Sequence, residues 1–481
     1  MTLARTALAA AVVLAASACS AGSVDPAHLA AAGHLRAGHS ASSSPTRGLT
    51  DALTLHRQRL VSFGADAHGG LLLVTGPLGK QGDYSRALFA THRDPSGHWS
   101  VPRSVSGATT RIDDRALAVA PDGSAVLAWS ALAPRVQSGL WVRLRSGAGT
   151  WSAPQRLAPD ADQIAEPRVA VDGRGDAVVA WLGQGPTVAV LRGGAGWQVS
   201  SFHDGGVDPM IGIDAAGTVH LADLRGGRGG NGVLQLRRLP VGGSWSAPVT
   251  VAHGVENRGL AGFAVDAHGR ETVAVGYRTG HYVSMDDDGE DVYPTSFRIL
   301  RQSRPGGRFA AVWTRPGAVG LSLAVSPGAG RDVWVFWEQW QGRGPHHGPT
   351  RSSLLAQQVR PRLGPVRRLG THRNRVGGNE YPYGRFETTS TAGTAGAGAV
   401  LWRWYSDHLH ERYGPLRVSA LAPNGPARTV HLEQRGHPLS DFGVGGLYPG
   451  SVAVAGGHSW VTWEHDLSGS RRKGLDVTPY L

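Results

Sequence analysis

The chain has 481 residues and a formal net charge of +12, too long for one ordinary core and basic without any dense basic run. Arginine spread evenly along the chain is not a nucleic-acid footprint, and a single cysteine excludes an intrachain disulfide. With 69 glycines, 29 prolines and few runs at helical period, the composition favours short strands joined by turns.

Residues 1–18 read as a secretion signal: Arg5 opens it, an apolar run over 7–16 follows, and small residues close it. That run is too short to span a bilayer as a permanent helix. Ala16-Ser17-Ala18-Cys19 then resembles the bacterial lipobox, with Ala16 where leucine is usual. An ordinary small-x-small cleavage site fits the same residues. The only cysteine of the chain falls at the cleavage point, which favours Cys19 as a lipid-attachment residue and a membrane tie through that lipid. Residues 19–50, rich in Ala, Gly, Ser and His, read as a tether, and 51–481 as the folded domain.

Residues 53–60 alternate apolar and polar, and predict a strand. Beyond them one sentence is written repeatedly. Residues 167–181, PRVAVDGRGDAVVAW, give a strand, a tight Asp-Gly turn and a second strand. Copies occur at 63–74, 117–129, 211–221, 263–275, 323–337, 391–404 and 452–463. Eight such copies, roughly 40–65 residues apart, predict an all-β propeller of four-stranded antiparallel blades. Eight blades are expected, with seven as the alternative because spacing over 301–437 is irregular. Trp129, Trp181, Trp337, Trp404 and Trp463 recur at the end of the second strand and read as blade packing. Third and fourth strands follow at 140–145 with 150–157, and at 233–239 with 244–251. The last copy stops one strand short, while 53–60 supplies a spare strand at the other end. The N-terminal strand is therefore expected to close the ring.

In such blades the 1–2 and 3–4 turns share one face of the ring, and here they are short. The long segments 77–85, 225–232, 278–295, 338–353 and 406–415 fall between second and third strands, which makes the opposite face the binding face. Charged residues recur just before each first strand: Asp113, Asp114 and Arg115; Glu166 and Arg168; Asp208; Glu256 and Arg258; Glu380, Tyr383 and Arg385; and Asp441. A first strand lies innermost, so Asp114, Arg115, Glu166, Asp208, Arg258, Glu380, Tyr383, Arg385 and Asp441 form a candidate polar ligand site at the channel mouth. Ion pairing between neighbouring blades is the competing account of each residue alone.

Asp286, Asp287, Asp288, Glu290 and Asp291 gather carboxylates of the kind calcium needs, without the spacing of a calcium loop. They read as a solvated acidic loop, and no cofactor or metal is assigned. His346, His347, His408 and His410 lack a matching partner motif.

At the repeated sentence, over residues 50–481, the chain resembles the bacterial sialidase-like, BNR-repeat propeller proteins. The Asp-box of that family reads Ser-x-Asp-x-Gly-x-Thr-Trp, whereas residues 121–123 and 172–175 differ in spacing and lack Thr-Trp. Its Phe/Tyr-Arg-Ile-Pro motif is absent, since Arg111-Ile112-Asp113 places Asp where the proline belongs. Glu380 with Tyr383 is similar in type to its Tyr/Glu pair. The resemblance thus implies architecture, and no catalytic role is carried over.

These readings together predict an extracytoplasmic binding module, lipid-anchored at the membrane or secreted, for a glycan or an envelope protein. A glycoside hydrolase or lyase using Asp114, Glu166, Asp208 or Glu380 is the second reading, and a scaffold subunit of an envelope complex the third.

Overall fold

The computed structural model describes residues 53–480 apart from a number of connecting segments, the longest being 78–86, 342–350, 374–383 and 432–450. Residues 1–52, with Cys19, lie outside the described residues, as do some strand side chains. The described residues contain strands and no α-helix. No helix among them is long and apolar enough to cross a membrane.

Eight antiparallel units of four strands follow one another along the chain. Their first strands are Gln58–Ala65, Ile112–Val119, Ala165–Val171, Gly206–Ile213, Leu260–Val265, the second half of Phe309–Val325, Gly384–Ala392 and Ser451–Ala455. Each first strand touches the next in chain order, and the eighth touches the first. That closed circuit is the wall of a propeller, with first strands around the axis and fourth strands at the rim.

The expected single strand over 53–60 is two strands. Leu53–His56 pairs antiparallel with Arg472–Tyr480, Leu53 opposite Val477 and His56 opposite Gly474, and completes blade 8. Gln58–Ala65 then begins blade 1. The break is topological: one alternating run must serve the rim of the last blade and the axis of the first. Leu53 is buried with Trp460 of blade 8 and with Phe63, Leu71 and Leu73 of blade 1, so the closing strand also welds those blades together.

Blades 5 and 6 share one seven-stranded sheet because Phe309–Val325 runs unbroken between them. Its first part pairs with Thr295–Gln302 of blade 5, and its second part with Val333–Gln341 of blade 6. Pro316-Gly317 marks the change of blade, with Gly317 at φ 70°.

The repeated turn has a specific hydrogen-bond code. In blades 1, 3, 4 and 5 an aspartate opens it: Asp66, Asp172, Asp214 and Asp266. The Oδ1 of Asp172 accepts the amides of Arg174 (2.9 Å) and Asp176 (3.0 Å), and that of Asp266 accepts those of His268 and Arg270. This Asx-type turn hands the backbone two acceptors that a tight loop otherwise lacks. The fourth residue is always glycine, at φ between 77° and 90°, because the turn needs the left-handed region there. Blade 2 has Ala120 in the aspartate position, and Asp122 takes over by accepting the Ser124 amide at 3.0 Å.

Neighbouring blades are held by second-strand residues. Trp129 packs with Leu72 and Val74 of blade 1, Trp181 with Val126 of blade 2, and Trp337 with Ile299 of blade 5. All three are at most 4% exposed, in keeping with their reading as packing residues. The side chains of Trp404 and Trp463 lie outside the described residues.

Candidate functional site at the channel mouth

Each first strand of blades 1 to 6 opens with a β-bulge. The register slips between Leu60 and Ser62, Ile112 and Arg115, Ala165 and Arg168, Val207 and Met210, Leu260 and Gly262, and Val319 and Leu321. A bulge turns side chains out of the pleat, a common device for aiming residues into a site. Asp114, Glu166 and Asp208 occupy the bulges of three consecutive blades. Asp208 is the one described non-glycine residue at positive φ, 50°, which marks its bulge as strained. In blade 2 the Asp114 amide donates to Ser130 Oγ at 2.9 Å, so a second-strand hydroxyl satisfies the backbone that the bulge releases.

At the bulges the first strands of blades 1 to 5 line an open hollow of about 330 Å³. Arg115 of blade 2, Arg168 of blade 3, Met210 of blade 4 and Phe263 of blade 5 line it. Two guanidiniums from adjacent blades thus share a small space with apolar groups, the composition of a site for an oriented polar ligand. At the turn end the strands crowd together. A Cβ on Gly212 would lie 2.8 Å from Val265 Cγ2 of the next blade.

In chain order, the long segments sit at the connections between second and third strands. That connection spans residues 183–185 in blade 3 and residues 279–294 in blade 5. Arg385 lies in the first strand of blade 7 opposite Tyr405, with its side chain outside the described residues, as is that of Glu166. Arg258, Glu380, Tyr383 and Asp441 lie wholly outside them, as does the acidic stretch 286–290. Asp291 itself is in a two-residue strand paired with Ser284–Met285. Among the described residues no group of three His, Cys, Asp or Glu side chains is arranged to hold a metal ion.

Other charged residues are used between blades. His220 of blade 4 is buried, with Nδ1 2.7 Å from Glu271 Oε1 of blade 5 and Nε2 3.4 Å from Asp214 Oδ2. Arg238 Nε donates to the same Glu271 at 2.8 Å. Burial alone lowers the His220 pKa, but the hydrogen bonds and charges of Asp214 and Glu271 outweigh it and raise the value. Burial likewise pushes Glu271 up, and His220 with Arg238 brings it below its usual value. At the other end of blade 4, Asp223 is fully buried against Arg237, with Asp204 next to the same guanidinium. Burial pushes the Asp223 carboxyl up to about 6; Arg237 opposes this and Asp204 adds to it. Residue patterns alone missed His220, Asp223 and Glu271, because their partners come from strands or blades that only the folded ring brings together.

No protein-family model and no curated protein matches the chain. Among solved structures it is similar to a polysaccharide lyase, an ulvan lyase bound to -[GlcA(1-4)Rha3S]-, at 11% identity and TM-score 0.44, over 78% of this chain and 98% of that one. It is also similar to a Hadza microbial sialidase at 11% identity and TM-score 0.32, over 83% and 74% of the two chains. An arabinofuranosidase from Podospora anserina shares 14% identity at TM-score 0.28, over 53% and 93%. At these values none of the likenesses carries an argument about function.

Proposed function

We propose that the protein is an extracytoplasmic binding module that takes an acidic or otherwise polar glycan at the mouth of its axial channel. The supporting observation is the recurrence of charged residues at equivalent bulges of adjacent blades, above a cavity lined by Arg115 and Arg168. The guanidiniums hold the ligand's anionic or hydroxyl groups by paired hydrogen bonds, and Met210 and Phe263 take its apolar face. Cys19 supplies the anchor and residues 20–50 the reach from the membrane.

The full-length protein is incubated with a mixed extract of envelope glycans, and mass spectrometry reads both what is retained and what is altered. Retention of unaltered glycan, lost in the Arg115→Gln/Arg168→Gln variant, is the expected result. No retention, or retention indifferent to both arginines, overturns the proposal.

A second reading, a glycoside hydrolase or lyase, is favoured by the three carboxylic acids Asp114, Glu166 and Asp208 at neighbouring bulges. Its mark in the same experiment is a cleaved product that disappears with Asp114→Asn or Glu166→Gln.

A further inference from the structure

Blades 1 and 2 part at their outer strands around a second cavity, of about 560 Å³, near the short turns and away from the channel mouth. Arg143 and Arg145 alternate along the third strand of blade 2, Gly139–Arg145, and so share one face of it. With Arg103 and His92 of blade 1 they make four cationic or potentially cationic groups in the wall, beside the indole of Trp151 and the hydroxyl of Thr150. No carboxylate lines the cavity.

Asp66 and Asp94 flank the pocket and offset part of this charge, acting on His92 and Arg145. Arg143 gives Nη1–H to the Val105 carbonyl at 3.0 Å and Nε–H to that of Ser152, and Arg145 gives Nη1–H to that of Gly123. These partners are all neutral. Asp66 Oδ1 accepts the amides of its own turn, and Asp94 Oδ1 accepts the Ser96 hydroxyl and the His98 amide. Burial holds Arg143 and Arg145 below their usual values. The seam between blades 4 and 5 shows what is missing. Arg238 there meets Glu271, whereas the matching positions between blades 1 and 2 are His92 and Ala125.

We propose that this pocket binds an acidic sugar, a sulfated or uronic acid residue, with its oxyanion on Arg103 and Arg143 and its apolar ring face on Trp151. Guanidiniums suit planar or tetrahedral oxyanions by bidentate hydrogen bonding, and the volume is that of a small-ligand pocket. The site is independent of the channel mouth and of the function proposed for it.

The test titrates the full-length protein with glucose 6-sulfate, glucuronic acid, glucose and inorganic sulfate by calorimetry. Arginine-selective dicarbonyl labelling, read by mass spectrometry, reports where each probe sits. The acidic sugars are expected to bind and glucose not, with Arg103 and Arg143 protected from labelling. Arg103→Gln/Arg143→Gln should weaken binding by about tenfold or more, and Trp151→Ala should weaken the sugars more than sulfate. Absence of binding, protection confined to Arg115 and Arg168, or sulfate binding as tightly as the acidic sugars overturns the proposal. Protection is measured on the unmodified protein, so the result stands even where a variant fails to fold.

Discussion

Single residues in this ring act through the turn code and the buried charges. Asp172→Ala removes the acceptor for two turn amides and the partner of Arg174, and should cost about 1–3 kcal/mol in denaturant unfolding. The buried charges set the pH dependence. His220 has a raised folded pKa, so its contribution is whole below about 6.5 and fades as pH rises through the folded value. Asp223 acts in the same direction at lower pH. Its folded pKa of about 6 exceeds the ordinary 3.8, so the folded state binds the extra proton and stability declines between those values as pH rises. Glu271 and Asp214, both lowered, contribute above the ordinary carboxylate range and lose that contribution as pH falls through their folded values. Melting temperatures should therefore fall from mildly acid to alkaline pH. Asp223→Asn should remove the part of the decline below about pH 6, and His220→Asn the part above about 6.5. Equal slopes in wild type and variants would sink this account.

At the scale of the element, the seams and the closing strand carry the risk. Trp337 is buried against Ile299 and meets Trp313 edge-on at 5.3 Å, so Trp337→Ala should open a cavity costing about 3–5 kcal/mol. A chain starting at residue 58 lacks Leu53–His56 and leaves the edge of Arg472–Tyr480 unpaired. Light scattering should show it associating where a chain starting at residue 51 does not. Much of this level was legible in the residues. The Asp-x-x-Gly turns, the period-2 apolar runs and the spare N-terminal strand each follow from local chemistry. What was not legible is where a strand changes owner. The run over 53–60 alternates only as far as Leu55, and the four polar residues 56–59 after it do not by themselves say that the last blade ends and the first begins there. Likewise 309–325 contains no interruption except Pro316-Gly317, which alone does not announce a change of blade.

For the whole molecule, the ring explains how short-range repeats produce a long-range site. Asp114, Glu166 and Asp208 are 52 and 42 positions apart in the chain, and the blades return them to equivalent bulges. That recurrence was readable from the repeat, whereas the cavity holding Arg115 and Arg168 and the arginine-lined cavity around Arg143 needed the closed ring. If Cys19 carries the anchor, Cys19→Ala should move the protein from the membrane fraction to the soluble one, as read by immunoblotting.

Because Leu53–His56 lies hydrogen-bonded beside Arg472–Tyr480, the two ends of the folded chain meet inside a single sheet. A short linker joining them, with new ends cut in the turn at residues 173–174, would leave all strand pairings in place. The order in which blades are synthesised is thus separable from the architecture they reach. Such a circular permutant, in which blade 8 no longer waits for the last residues made, would tell whether ring closure or blade assembly limits folding.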